Sequence, residues 1–272
     1  MARKTKPSDK DVDRLLVDKV DKRRERIKDV SDYAAQEATV SLQTRKILSN
    51  LMNKGIITKF QGIFSSGKEA NVYNGNGEGG REIAIKIYRI NAQTSKWMMD
   101  YIHGDPRFAT FRKKNTRGLM TTWAQKEFKN LKRAREAGVP VPEPLAVVEN
   151  VLVMEFIGKG GTPGRRIVDL DLDKLGDPLK HLNAILQGIQ DLFIKARLIH
   201  GDLSPYNLLY FNQKVYFIDF AQAVLMDHPN ARKYFDRDID NVLGYFTPLL
   251  AENFNRNALA NSIMAGKFVK IG

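Results

Sequence analysis

The spacing of apolar residues predicts that the folded part of the chain opens with a helix and continues as a small sheet. In TVSLQTRKILSNLMN, residues 39–53, apolar side chains recur at helical spacing, and Gly55 supplies a helix stop. The strand-like runs that follow are IITKFQGIF, NVY and EIAIKIYRI, with the glycine-rich GNGEGG before the last of them. Turn signals between short apolar runs are typical of antiparallel hairpins. We therefore expect a leading helical segment at 39–60 and a sheet-based lobe at 61–153.

Longer periodic segments follow and predict a mainly helical lobe at 154–272. The run MTTWAQKEFKNLKRAREAG, residues 120–138, predicts a helix, and PLAVVENVLVMEF, residues 144–156, predicts a second hairpin. Apolar residues from about Leu179 to Leu198 keep helical spacing and predict a longer amphipathic helix. Residues 89–120 are basic and polar with few periodic contacts, which predicts a flexible insertion in the first lobe.

Composition limits the class of protein. The chain has 272 residues, 43% of them hydrophobic, which is ample for a buried core. It has no cysteine, which excludes disulfides, thiol nucleophiles and thiolate metal sites and fits an intracellular protein. The longest apolar runs, such as VLVM at 151–154, are far short of a membrane span. We expect a cytoplasmic location.

Charge is unevenly distributed along the chain. Residues 1–136 hold 30 Lys and Arg against 16 Asp and Glu, a net +14, whereas residues 137–272 hold 14 against 15, a net −1. Residues 1–38 are rich in Lys, Arg and Asp and predict a basic tail. Such an imbalance favours a polyanionic partner, and nucleic acid is the first candidate.

The stretch GIFSSGKEA, residues 62–70, matches the spacing of a Walker phosphate loop except that Glu69 replaces the metal-binding Ser or Thr. A Walker loop is followed directly by a helix, whereas ANVYNG reads as a strand and a turn, so we reject the Walker interpretation. A strand-turn-strand flap can still present hydroxyls and backbone N–H groups to phosphate oxygens. A plain hairpin turn explains this stretch equally well.

Lys86 and Glu127 are charged residues in apolar patterns. Ile83, Ile85 and Ile87 alternate onto one face of the predicted strand, which leaves Lys86 on the other face. Glu127 is the only charge in the apolar stripe of the helix at 120–137. An unpaired buried carboxylate is costly, so Lys86 is the economical partner for Glu127.

The third group of candidates lies in HGDLSPYN, residues 200–207, and in YFIDFAQ, residues 216–222. Asp202 and Asn207 have the D-x-x-x-x-N spacing of a kinase catalytic loop, and Asp219 follows an apolar strand. Asn207 and Asp219 offer hard oxygen ligands for magnesium, and Lys86 can neutralise phosphate charge. These residues predict binding of ATP and Mg²⁺, with Asp202 facing the phosphoryl acceptor.

A second His-Gly-Asp, at residues 103–105, serves as an internal comparison. Thr110 replaces Asn at the fifth position after the Asp, and no long apolar helix precedes this copy. We therefore assign it a structural role. His200, in the first copy discussed, is expected to support its loop by packing and hydrogen bonding.

Taken together, these stretches resemble the RIO family of atypical protein kinases, and its first subfamily rather than its second. The resemblance runs from about residue 40 to 245 and rests on SSGKEANVY, IAIKIYR, WAQKEFKNLKRA, VLVMEFIG, HGDLSPYNLLY and VYFIDFAQAV. It implies an α+β, bilobal protein-kinase-like fold at 39–272. The small lobe would be an antiparallel sheet. The helical lobe would be reduced, without a full activation segment or peptide-docking helices, because Phe-Ala follows Asp219 and 53 residues remain.

The resemblance also implies roles for individual residues. Asp202 would be the catalytic aspartate, Asn207 and Asp219 the magnesium ligands, and Asp219 a possible transient phosphoacceptor. Lys86, paired with Glu127, would contact the ATP phosphates. The nucleotide would be covered and lined by Ser65, Ser66, Gly67, Lys68, Met154, Glu155 and Ile157. The implied activity is phosphorylation of serine and hydrolysis of ATP, with a small ribosomal subunit precursor as partner.

Two alternatives stay open at this level. Small-molecule phosphotransferases of the aminoglycoside or choline type share the catalytic pattern, although the basic first half and the flap at 65–73 favour the RIO interpretation. The other alternative is an assembly factor that uses ATP as a conformational latch with little turnover.

Overall fold

The computed structural model describes residues 41–89, 95–111, 115–252, 254–268 and 270–272. The predicted basic tail at 1–38 lies outside these ranges. No helix within the described ranges combines the length and the apolar character needed to cross a lipid bilayer.

The first lobe is an antiparallel sheet covered on one face by a helix. Its strands are β1 (Lys59–Ser66), β2 (Ala70–Asn76), β3 (Glu82–Tyr88), β4 (Pro144–Val148) and β5 (Val151–Glu155), in the spatial order β1-β2-β3-β5-β4. Helix α1 (Leu42–Asn53) begins after Ser41, whose hydroxyl accepts the Thr44 N–H. Apolar residues of α1 pack with Ile83, Ile85 and Ile87 in one buried cluster. The predicted alternation along β3 therefore holds, and Lys86 points away from α1.

The second lobe is mainly helical, as predicted. Helices α2 (Ser95–Ile102) and α3 (Thr116–Glu136) precede it in the chain. Its own helices are α4 (Pro178–Ile194), α5 (Ala231–Tyr245) and α6 (Arg256–Met264). Short strands complete it: β6 (Gly158–Lys159), β7 (Thr162–Pro163), β8 (Arg165–Arg166), β9 (Leu198–Ile199), β10 (Leu208–Phe211), β11 (Lys214–Phe217) and β12 (Val224–Leu225). Because Leu208 pairs with Phe217, residues 202–207 and residue 219 lie at the same end of the β10–β11 hairpin. Only the segment 220–230 separates Asp219 from α5.

The segment 89–120 differs from its prediction as a flexible insertion. Its described part contains α2 and the start of α3, and Met98, Ile102 and Phe108 are buried in the main core. The ring of Trp97 packs edge-on against that of Trp123 at 5.5 Å. The run WMMDYI supplies the side chains for this packing. Its helical period is not recognisable in the sequence, because the run is only six residues long and lies between basic stretches. Residues 90–94 and 112–114 lie outside the described ranges.

Candidate active site

A cavity of about 350 Å³ lies between the two lobes. Its apolar lining includes Val72, Ala84, Met154, Ile157, Leu209 and Ile218, and its polar lining includes Ser65, Gly67, Lys68, Glu69, Lys86, Asn207 and Asp219. Binding sites for small molecules are typically apolar clefts with a few convergent polar groups. The cavity therefore combines a surface that suits an aromatic base with groups that suit phosphate and metal.

The residues assigned to the nucleotide from the sequence line this cavity, with one exception. Glu155 is among them, although its carboxylate is turned to accept the Glu143 N–H at 3.1 Å. Ser66 is not among the lining residues, because its hydroxyl donates to Asn71 at 3.0 Å and accepts from Arg89 at 2.8 Å. Neighbouring residues of a strand point to opposite sides, so Ser65 faces the cavity and Ser66 does not.

Lys86 is the centre of an ion-pair network. Its Nζ lies 2.9 Å from Glu127 Oε1 and 2.9 Å from Asp219 Oδ1, and the Tyr88 hydroxyl also donates to Glu127. Burial alone would lower the pKa of Lys86, but the carboxylates of Asp219 and Glu127 outweigh it and hold the pKa above its ordinary value. The pairing predicted between β3 and α3 is present, and it extends to Asp219.

The two carboxylates that face Lys86 differ in exposure. Glu127 is fully buried, and burial raises its pKa in spite of the neighbouring Lys86. The side chain of Asp219 is 42% exposed. Burial of its environment would raise the pKa of Asp219, but the charge and hydrogen bond of Lys86 lower it below its ordinary value. Glu127 therefore anchors Lys86 from behind, and ionised Asp219 faces the cavity.

Asp202 and Asn207 meet as their spacing predicts. Asn207 Nδ2 donates to the Asp202 backbone carbonyl at 2.8 Å, and Gln222 Nε2 donates to Asp202 Oδ2 at 3.1 Å. Burial, and then the negative charge of Asp219, raise the pKa of Asp202. Because the amide nitrogen of Asn207 is engaged in this way, its Oδ1 is the atom left to bind a cation.

The loop that carries Asp202 is held from below by α5. Asp238 accepts the N–H groups of Gly201 and Leu203, each at 2.8 Å, and the Arg237 guanidinium donates to the Gly201 carbonyl. Gly201 has φ +77°, and a Cβ there would approach the Gln222 carbonyl oxygen to 2.9 Å, so this position requires glycine. Burial raises the pKa of Asp238 to about 7. The sequence gives no spacing signal for Asp238, which acts across more than thirty positions.

The segment around Asp219 is held in an unusual backbone conformation. Asp219 has φ +64°, a region in which non-glycine residues are strained and persist only when their surroundings fix them. The neighbouring Ile218 carbonyl contacts His200 Nε2 at 2.9 Å, which is the supporting role predicted for His200. On the other side, Lys126 Nζ donates to the carbonyls of Ala221, at 2.9 Å, and Ala223.

Asn130 also holds the segment after Asp219, and we call Lys126 and Asn130 together the clamp. Its Nδ2 donates to the Phe220 carbonyl at 2.8 Å and to the Ala223 carbonyl at 3.0 Å, and its Oδ1 accepts from Arg107 at 2.8 Å. Lys126 directly precedes Glu127 on α3, and Asn130 follows Glu127 by three positions. Both are fully buried. The helix that anchors Lys86 therefore also fixes the backbone that presents Asp219.

Glu69 is a further lining residue that the sequence interpretation passed over. Burial, and then the charge of Asp219, raise its pKa to about 7. In the sequence it stands out only as the residue that breaks the Walker pattern. The His-Gly-Asp copy at 103–105 has the structural role assigned to it, since buried Asp105 caps a short turn and pairs with Arg107 at 2.7 Å.

The residues present fit a magnesium ion and a nucleotide. Mg²⁺ prefers oxygen ligands and is usually held by one or two carboxylates together with substrate phosphates. Asn207 Oδ1 and the Asp219 carboxylate line one cavity with the ammonium of Lys86, and Ser65, Gly67 and Lys68 form its flap. This arrangement has the charge distribution that a metal-bound polyphosphate requires.

Comparisons with known proteins agree with this site. A family model described as the RIO domain matches residues 71–259. The serine/threonine-protein kinase rio1 of Schizosaccharomyces pombe is 41% identical over 227 residues, which are 83% of this chain and 46% of that protein. The RIO-type serine/threonine-protein kinase Rio1 of Haloferax volcanii is 38% identical over 242 residues, which are 88% of this chain and 82% of that protein. The chain thus spans less than half of the fission-yeast relative and most of the archaeal one.

A solved structure shares the fold. The Rio2 kinase of Chaetomium thermophilum, in a complex described as ADP/Mg²⁺-phosphoaspartate, superposes with a TM-score of 0.52 at 17% identity and covers 92% of this chain and 88% of that one. The expected bilobal, α+β, kinase-like fold is confirmed. With the RIO-domain match over most of its length and its Rio1 relatives, the chain belongs to the RIO family and to the Rio1 type within it.

Proposed function

We propose that this chain is a serine/threonine protein kinase that uses ATP and Mg²⁺ and also hydrolyses ATP. The observation that supports this most is the contact of Lys86 with both Glu127 and Asp219 at the wall of an apolar cavity. The curated relatives are named serine/threonine-protein kinases, which favours a protein kinase over a small-molecule phosphotransferase.

Each side chain has a defined part in this proposal. Lys86, held by Glu127, binds phosphate oxygens, while Asn207 and Asp219 hold the metal. ATP with its metal ion supplies the phosphoryl group and part of the charge neutralisation. Asp202 orients the acceptor hydroxyl, since Gln222 and Asn207 fix its position. Positioning and electrostatic stabilisation account for most of phosphoryl-transfer catalysis, and these residues provide both.

Asp219 is also the residue that we propose for transient phosphorylation. The related Rio2 structure is described as containing phosphoaspartate. In this chain the Asp219 carboxylate lines the cavity and is partly exposed, whereas Glu127 is enclosed behind Lys86. A precursor of the small ribosomal subunit as partner and a cytoplasmic site of action also belong to this proposal, and the net +14 of residues 1–136 supports an RNA-containing partner.

Two aspartate variants test the proposal. We expect Asp219→Asn to lose magnesium-dependent ATP turnover, because it removes a charged metal ligand. Asp202→Asn should keep nucleotide binding and lose phosphoryl transfer, because Asp202 positions the acceptor and not the ATP. The measurements are steady-state release of ADP and calorimetric binding of ATP with Mg²⁺.

Asp227→Asn is the matched control, since Asp227 is exposed at the surface and, among the described residues, forms an ion pair with Arg197 at 3.4 Å. It removes the same charge and should behave as wild type. Turnover by Asp219→Asn close to that of the control would refute the metal assignment.

A further inference from the structure

A second depression, apart from the candidate active site, is strongly basic. It measures about 850 Å³ and shares no lining residue with the first cavity. We call it the basic depression and define it by its lining: Arg107, Lys129, Lys132, Arg133, Glu136, Ala137, Gly138 and Lys195. Five cations thus face one carboxylate. A concave surface with this excess of positive charge attracts anions.

The cations converge because of how α3 ends. Lys132, Arg133 and Glu136 follow Lys129 by three, four and seven positions, so the four residues share one face of the helix. Gly138 ends α3 with φ +83° and leaves open space where a side chain would stand. Lys195, just after α4, also lines the depression.

The charges of this surface are only partly neutralised. Arg107 is bound to Asp105, and Lys195 lies 2.9 Å from Asp191. Among the residues that the structure describes, Lys129, Lys132 and Arg133 form no ion pair within 4 Å. Lys129 instead lies over the Phe108 ring, 5.0 Å from its centroid. Three cations of one helix face are therefore available to an external anion.

The shape of the depression favours a polymer with repeated phosphates over a single bound phosphate. A single phosphate is typically held by backbone N–H groups at a helix N-terminus or in a turn. Here the helix that forms the floor presents its C-terminal end, whose carbonyls repel a deeply seated anion. Contacts must then come from the ends of several long side chains, which suits phosphates spaced along a backbone.

The lining also favours a double-stranded over a single-stranded polymer. Single strands are usually held by aromatic rings on which bases stack. Within the described part of the chain no aromatic ring lines the basic depression, and Phe108, beneath Lys129, is 8% exposed. Duplex RNA is recognised mainly through its phosphates and its shape.

We propose that the basic depression binds the backbone phosphates of structured RNA. This deepens the proposed RNA-containing partner and rests on that part of the proposed function. It assigns the contact to α3 and the residue after α4, on a face distinct from the cavity that would hold ATP.

The test is the affinity of the full chain for a fluorescein-labelled RNA hairpin, measured by anisotropy between about 50 and 200 mM salt. The triple variant Lys129→Gln/Lys132→Gln/Arg133→Gln should bind at least about 10-fold more weakly, and the slope of log affinity against log salt should fall in magnitude by about 2. An unlabelled single strand of the same composition should compete more weakly than the hairpin.

The matched control is Lys174→Gln/Arg232→Gln/Lys233→Gln, which removes the same net charge from exposed positions outside both cavities. It should lose less than about 2-fold in affinity. Equal losses in the two triple variants, wild-type binding by the first, or tighter binding of the single strand would overturn the proposal. If the first variant melts at a clearly lower temperature, Lys132→Gln/Arg133→Gln is judged by the same criteria.

Failure of this proposal can be told apart from failure of the proposed kinase activity. A wild-type chain that transfers phosphate from ATP but does not bind the hairpin refutes the basic depression alone. A chain that binds the hairpin through Lys129, Lys132 and Arg133 but does not use ATP refutes the proposed kinase activity and supports the RNA site.

Discussion

Lys86 and Lys126 are both buried, on β3 and α3 respectively, but they meet opposite kinds of partner. Lys86 contacts two carboxylates, those of Glu127 and Asp219, at 2.9 Å each. Lys126 donates to the backbone carbonyls of Ala221 and Ala223 and lies over the Trp123 ring at 5.4 Å, and within the described ranges no carboxylate lies within 4 Å of it. The pKa of Lys86 is accordingly raised, whereas burial lowers the pKa of Lys126 to about 7.

The two environments fit different roles, which are anion binding for Lys86 and positioning of the backbone for Lys126. The charge of Lys86 is secured by its carboxylates and faces a cavity, where it can bind an anion. The charge of Lys126 is costly, and its donors are already committed to the segment that follows Asp219. The two lysines therefore hold Asp219 from two sides, Lys86 through the carboxylate and Lys126 through the backbone beyond it. The comparison yields three predictions about variants.

The largest effect is expected at Lys86. Lys86→Met should lower ATP turnover at least about 100-fold, because it removes a preorganised positive charge from the cavity. It should also lower the free energy of unfolding by about 3 kcal/mol, because Glu127 is left buried without a cation. Steady-state ADP release and urea unfolding measure the two effects.

A double variant separates the two roles of Lys86. In Lys86→Met/Glu127→Gln the buried charge is gone, so most of the stability should return while turnover stays lost. Recovery of turnover in the double variant would show that Lys86 serves only to neutralise Glu127, and the contrast with Lys126 would then collapse.

The second prediction concerns the pH dependence that Lys126 confers. The unfolded chain holds this proton up to the ordinary pKa of 10.5, whereas the folded chain releases it at about 7. Unfolding therefore takes up a proton between these values, and this contribution makes the free energy of unfolding rise with pH across that window, by up to about 1.4 kcal/mol per pH unit. Below pH 7 the penalty of burying the charge is fully present.

Lys126→Met should lack this contribution. The free energy of unfolding of the wild type minus that of the variant, measured by urea unfolding, should therefore rise from pH 7 to pH 9.5. Lys132→Met is the control, since Lys132 is exposed on the same helix. If wild type, Lys126→Met and the control give parallel curves, Lys126 is charged in the folded chain and the proposed difference between the two lysines is wrong.

The sequence singles out Lys86, Glu127, Asp202, Asn207 and Asp219 as candidates because each interrupts an apolar pattern or keeps a fixed spacing. The alternation of β3 isolates Lys86, and the stripe of α3 isolates Glu127. The strands, the second hairpin and the helix from Pro178 to Ile194 follow the same periodicities, and their positions agree with the prediction to within a few residues.

Lys126, Asn130 and Asp238 could not be found in this way. A single apolar stripe assumes a helix buried on one side, but α3 is enclosed on more than one, so Lys126 and Asn130 are buried outside the stripe that contains Glu127. Their partners are backbone carbonyls of a loop about ninety positions away, and backbone groups leave no signal in the side-chain pattern. Asp238 likewise binds backbone groups, the N–H groups of Gly201 and Leu203, which leave no signal in the side-chain pattern.

The smallest effect is expected at Asn130, which shares the Ala223 carbonyl with Lys126. Asn130→Ala removes its hydrogen bonds to the segment after Asp219 but leaves the donors of Lys126, so the free energy of unfolding should fall by about 1–2 kcal/mol. If the clamp positions Asp219, the variant should also need more Mg²⁺ for half-maximal turnover, while the affinity for ATP without metal stays at the wild-type value. A purely structural role would lower stability and leave the magnesium dependence unchanged.

Thr122→Ala is the control on the same helix, because the Thr122 hydroxyl donates only within the helix, to the Gly118 carbonyl at 3.0 Å, and does not reach the loop. An unchanged magnesium requirement in Asn130→Ala would confine the positioning role to Lys126.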